Sequence, residues 1–158
     1  MRYIEAVEPL VRYPGDVVLF LAGGITGCPD WQAKVLKEFK LLSDKFVIVS
    51  PRRADFPIND PSAAEEQIMW EFDALRFADV ILFWFPEETL CPIALYELGC
   101  WTVKEPQKEI LVGVHPGYKR RLDVVIQTKL ERPGVTIYGD LHSLTAAARS
   151  AVAGLLRG

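Results

Sequence analysis

The chain has 158 residues, half of them hydrophobic, with 18 Lys and Arg against 21 Asp and Glu for a formal charge of −3. That length and apolar share suit a single domain over 1–158, with 1–15 as an N-terminal extension, and the acidic balance argues against a binder of polymeric nucleic acid. Three cysteines without a CxxC pair, two distant histidines, no signal-peptide core and no apolar run of the ~18 residues that span a bilayer predict a cytoplasmic protein without disulfides, metal, cofactor or membrane partner.

Residues 1–15 contain Pro9 and Pro14 and read as an irregular edge segment. The run DVVLFLA (16–22) is the first buried strand. Gly23, Gly24 and Gly27 form a turn, and Pro29 and Asp30 start a helix over 31–44. FVIVS (46–50) is the second strand, followed by a loop over 51–61 in which Asn59 and Asp60 are turn residues. Ser62 and Glu65 have the spacing of a capping box. The helix they open runs to about residue 77, with Ile68, Phe72, Leu75 and Ala78 on its apolar side. VILFWF (80–85) is the third strand, and Pro92 suits the first position of a helix ending near residue 104. ILVGV (110–114) is the fourth strand, 122–130 a helix and VTIY (135–138) a short fifth strand. Asp140 or Ser143 caps a final alanine-rich helix. Near-continuous apolar strands alternating with helices predict a five-stranded parallel sheet, order 2-1-3-4-5, with helices on both faces.

Such sheets bind ligands beyond the carboxyl ends of their strands, here the loops 22–30, 51–61, 86–92 and 114–120. Gly23 and Gly24 either offer backbone amides to an anion or simply make a tight turn; neither a GxGxxG nor a P-loop spacing is present. Arg52 and Arg53 clamp a phosphate or form ion pairs. Glu71, Asp73, Asp79, Glu87, Glu88 and Glu97 are the acids near this edge. Glu97 stands among Ile93, Ala94, Leu95, Leu98 and Trp101, early in its helix. There it is either a nucleophile or acid in an apolar setting, or a solvent-facing glutamate. Cys91, directly before a helix, is a thiol of lowered pKa or a buried one. Trp31, Trp70 and Trp84 are core residues or stack on a planar ligand.

Taken together, FLAGGITGCPDWQ, the SPRR after the second strand, ADVILFWFP and CPIALYELG resemble the nucleoside 2-deoxyribosyltransferase family, over about residues 17–114. The resemblance implies a flavodoxin-like three-layer fold and transfer of 2-deoxyribose between nucleobases. It implies Glu97 as the nucleophile at C1′, and Asp79 as an aspartate near base and sugar that shares the acid and base work with it. The segment with Gly23 and Gly24 would line the base pocket, and the chain would be a homo-oligomer. The alanine-rich helix and the Trp101 region are then candidate contact surfaces. The sequence departs from the family pattern at Cys91, where relatives often have an aspartate that holds the sugar hydroxyls. Glu87 or Glu88 is expected to substitute, and no asparagine follows Asn59 to supply the family's C-terminal sugar contact. Three functions stay open: transfer between a nucleoside and a free nucleobase, hydrolysis of a nucleoside 5′-monophosphate with Arg52 or Arg53 on the phosphate, and a non-catalytic nucleotide-binding module.

Overall fold

The computed structural model describes residues 1–40, 42–57 and 60–158; Asn59, expected in a turn, lies outside the described residues. In chain order the elements are β1 (Arg2–Glu5), β2 (Val17–Gly23), α1 (Trp31–Phe39), β3 (Phe46–Ser50), α2 (Pro61–Phe77), β4 (Val80–Phe85), α3 (Pro92–Lys104), β5 (Glu109–Val114), α4 (Arg121–Glu131), β6 (Ile137–Tyr138) and α5 (Leu141–Leu155).

The sheet is six-stranded and all parallel, in the order β1-β3-β2-β4-β5-β6. This corrects the expected five-stranded sheet of order 2-1-3-4-5. The additional strand comes from the segment expected to be irregular: β1 pairs with β3 in register from Arg2 opposite Val47 to Glu5 opposite Ser50. RYIE carries a charge at each end and buries only Ile4, as an edge strand does, so it lacks the continuous apolar run of a central one. Arg2 ties the segment down through an ion pair with Asp16.

Side chains alternate across the strands into two cores. One lies between the sheet and α2, α3 and α4 and contains Phe20, Phe83, Phe85, Leu98 and Trp101. The other lies under α1 and α5 and contains Leu19, Leu82, Phe39, Phe46 and Leu144. Each such side chain contributes about 1.5–3 kcal/mol by leaving water. The alanine-rich helix is part of this second core, with Leu144, Ala148 and Val152 buried, and Trp101 is only 4% exposed. These inward side chains belong to the core, while the outer sides of α5 and α3 stay exposed, as at Leu155 and Tyr96.

Helix boundaries follow their caps. Ala33 N donates to Asp30 Oδ1 at the start of α1 (2.9 Å), and the helix stops at Phe39, five residues before the expected end. The N-cap of α2 is Asp60, not Ser62: its Oδ1 accepts from Ser62 N (2.9 Å) and Ser62 Oγ (2.6 Å), with Pro61 in the first turn. The buried side of α2 also differs from the expected one. Ala63, Trp70, Ala74, Leu75 and Ala78 face inward, whereas Ile68 and Phe72, expected inside, are exposed.

Candidate active site

The parallel strands bring Gly23, Ser50 and Phe85 to one edge of the sheet. Gly23 has φ 152°, and a Cβ there would collide with the Trp84 carbonyl oxygen. A Cβ on Gly24 would come within 2.8 Å of Thr89 Cγ2 and 3.0 Å of Cys91 Sγ. Gly23 is therefore demanded by the close approach of β2 to β4, and Gly24 by that of the β2–α1 loop to the β4–α3 loop. The Gly24 carbonyl accepts from Trp31 Nε1 (2.8 Å) and Gln32 Nε2 (3.3 Å). Trp31, 3% exposed, is thus an anchor of this loop.

Arg52 holds the same loop from the other side. Its Nε donates to Gln32 Oε1 (2.9 Å) and its Nη2 to the carbonyl of Ile25 (3.0 Å), with Asp30 3.5 Å away as counter-charge. Those donors are occupied within the protein. Arg53 differs: its guanidinium lies over the Phe56 ring, and Nη1 is buried with no partner among the described residues. Tyr3, Glu5, Asp30, Arg52 and Arg53 line an open cavity of about 320 Å³ beside α1. A second cavity, of about 200 Å³, is bounded by Trp31, Trp84, Glu87, Glu88 and His115. Glu87 Oε2 lies 3.4 Å from His115 Nδ1, which accepts from Gly117 N (3.1 Å), and Glu88 is exposed.

Glu97 and Glu71 line neither cavity; they occupy the opposite face of the sheet, on α3 and α2. Pro92 fixes the first turn of α3, and Glu97 follows it by five residues, just over one turn into the helix. Burial pushes the Glu97 carboxyl up to about 8, and the charge of Glu71 adds to the shift. Glu71 is itself raised by burial, and a hydrogen bond from Gln67 works against that rise.

Gln67, one turn before Glu71, ties this pair to the ligand edge. Its Nε2 donates to the carbonyl of Pro51, at the end of β3 (3.0 Å), and to Glu71 Oε1 (2.8 Å). Two acceptors around one nitrogen fix the amide orientation, because a flipped amide would set oxygen against oxygen. Gln67 Oε1 is then left buried with no partner among the described residues. A buried acceptor without a donor costs about 1–3 kcal/mol, so this atom is suited to a donor brought by a ligand.

Asp79 stands apart from the carboxyl pair. It precedes the first residue of β4, and six residues of strand, about 20 Å, separate it from the edge where α3 begins. Its Oδ2 accepts from Val18 N (2.8 Å) and Arg12 Nη2 (2.9 Å), which joins the N-terminal segment to the amino ends of β2 and β4. Cys91 is in the left-handed region (φ 48°) at the cap of α3 and 6% exposed. Burial raises its thiol to about 12, so the thiol stays protonated and the helix terminus does not activate it. Among the described residues no three His, Cys, Asp or Glu side chains converge as a metal set, and no helix is long and apolar enough to cross a membrane.

Gln67 is the site residue that the sequence reading did not single out, and Glu71 was named there only as one of several acids near the ligand edge. The usable signal was their i, i+4 spacing on the face that also carries Ala63, Trp70 and Ala74, two polar residues in an otherwise apolar stripe. The chain matches the protein family described as nucleoside 2-deoxyribosyltransferase like, over residues 16–118. That span runs from the start of β2 to the turn after β5 and contains Gln67, Glu71 and Glu97. No curated protein matches the chain.

Proposed function

The chain belongs to the nucleoside 2-deoxyribosyltransferase-like family, and from that premise we propose that it cleaves the N-glycosidic bond of a deoxynucleoside and transfers the sugar to a second nucleobase through an ester on Glu97. The observation that carries this is the half-buried pair of carboxyls, Glu71 and Glu97, with Glu71 tied through Gln67 to the carbonyl of Pro51 after β3.

Two carboxyl groups that share a desolvated space lose their protons in separate steps, so over an intermediate pH range the pair holds one proton. In the free protein Gln67 donates to Glu71 and favours its ionised form, so the proton resides on Glu97. As the base departs, positive charge grows at C1′ and the ring oxygen, and that charge favours an ionised Glu97. The shared proton passes to Glu71, Glu97 attacks C1′, and Glu71 gives the proton to the departing base nitrogen. The bond from C1′ to nitrogen breaks as the bond from C1′ to Glu97 oxygen forms. Attack by a second nucleobase reverses the sequence and frees Glu97. Asp79 has no part in these steps, because it is held by Arg12 and Val18 at the other end of β4.

Water in place of the second base would give hydrolysis by the same first half-reaction. Incubating the protein with deoxyinosine, with and without adenine, and separating the products distinguishes the outcomes. Deoxyadenosine and hypoxanthine formed together support transfer. Free deoxyribose, unaffected by adenine, would instead establish a hydrolase, and no product at all would reject catalysis on this substrate. Phosphate recognition by Arg52 has little support, since Nε and Nη2 are spent on the glycine loop.

A further inference from the structure

The cavity beside α1 is built from residues that the transfer chemistry does not use. Ile4 points into the core under α2, α3 and α4, so alternation along β1 turns Tyr3 and Glu5 to the opposite face of the sheet, toward α1. There they meet Arg52 and Arg53, which follow β3, and Asp30, which caps α1. The volume of about 320 Å³ falls at the lower end of the range for small-molecule sites. Glu71 and Glu97 lie across the sheet from it, and β1 precedes residues 16–118, the span of the family match.

The charges of this cavity do not all cancel within the protein. Arg52 has Asp30 as counter-charge at 3.5 Å. Glu5 and Arg53 line the same space, and among the described residues neither has an ion pair. Glu5 Oε1 accepts from Ala54 N (2.9 Å), which fixes the carboxylate. Arg53 stacks on Phe56, 5.6 Å from the ring centroid, and its Nη1 is buried without a partner among the described residues. A guanidinium keeps its charge at any ordinary pH, so this donor is suited to an acceptor from outside the chain. Around Tyr3 the field has the other sign. Burial raises its phenol, a hydrogen bond with Ser50 works against the rise, and the charges of Glu5, Asp30 and Glu8 add to it. A dianion such as phosphate is therefore opposed on the β1 side, whereas a ligand with one group of each sign is accommodated. The rest of the wall is apolar, from Ala33 and Leu36 of α1 and from Ala54.

We propose that this cavity binds a free α-amino acid with an apolar side chain, its carboxylate on Arg53 and its ammonium on Glu5. The arginine fork matches a carboxylate with two parallel hydrogen bonds, and a carboxylate that already accepts from one backbone amide has capacity left for an ammonium. The apolar side chain rests against Ala33 and Leu36.

Isothermal titration calorimetry on the purified full chain tests this. The probes are L-leucine, which carries both charges, then 3-methylbutylamine and 4-methylpentanoate, which keep its apolar branch and one charge each, and inorganic phosphate. L-leucine is expected to bind once per chain, and the other probes at least about tenfold more weakly, because each forgoes a charge-assisted contact. Glu5→Gln keeps the acceptor for Ala54 N, and Arg53→Met keeps an unbranched stem over Phe56. Each should weaken L-leucine by at least about tenfold, with folding checked by far-UV circular dichroism. Absence of L-leucine binding at millimolar concentration would overturn the proposal. So would any other probe binding as tightly as L-leucine, or an affinity for L-leucine that either folded variant leaves unchanged. The probe series on the wild type decides the matter even where a variant does not fold.

Discussion

Replacing Glu97 by Gln should leave stability unchanged in acid and raise it in alkali. In the folded protein the Glu97 carboxyl is raised from 4.5 to about 8 by burial and by Glu71. Between those values the folded chain keeps a proton that the unfolded chain has lost. Stability therefore is full below about pH 4.5 and falls as pH rises through about 8. At about 1.4 kcal/mol per pKa unit the loss has an upper bound of about 4–5 kcal/mol, and water reaching an opened pair reduces it to about 2 kcal/mol. Gln has the same shape and no charge to desolvate. For a chain of this size the Tm of Glu97→Gln should exceed that of the wild type by about 4–8 °C at pH 9 and match it near pH 4.5. Thermal denaturation of both proteins across that range is the assay. Groups not coupled to Glu97 cancel in the difference, so a Tm gap that stays constant with pH would refute the desolvated, coupled state of Glu97.

Three further outcomes follow from the same geometry. Glu71→Gln should slow transfer from deoxyinosine by about 10²–10⁴-fold, yet have little effect on an N7-methylated purine deoxynucleoside, whose cationic base leaves without a proton; equal loss on both substrates would remove Glu71 as the acid. Gln67→Leu removes the donor that favours ionised Glu71, so the pH–rate profile should move about one unit toward alkali; an unmoved profile with lower activity would mean that Gln67 serves folding alone. Cys91, raised to about 12 and 6% exposed, should resist iodoacetamide at pH 8 in the native protein and react only after unfolding, as peptide mapping would show.

The central strands were legible because both of their faces are covered, so DVVLFLA, FVIVS and VILFWF are apolar at nearly every position. RYIE was not, because an edge strand with one buried residue looks like a loop. The orientation of α2 was misjudged for a different reason. It is apolar on two sides, and periodicity cannot tell the side that meets the sheet from the side with Ile68 and Phe72. That ambiguity also hid Gln67 and the inward placing of Glu71. Asp79 drew attention by its place before a strand, but a parallel strand has a ligand end and a far end, and Asp79 is at the far one. Glu97 was found through the ELG resemblance, whereas its burial and its coupling to Glu71 depend on how α2 and α3 sit side by side.

The most direct test of the carboxylate chemistry is to trap the intermediate. Incubation with a slow 2-fluoro-substituted deoxynucleoside, followed by digestion and mass spectrometry, should find the fluorinated sugar on the peptide that contains Glu97 and release of one equivalent of base. The adduct should be absent from Glu97→Gln. Sugar on a different carboxylate, or turnover of deoxyinosine by Glu97→Gln at the wild-type rate, would contradict the role given to Glu97.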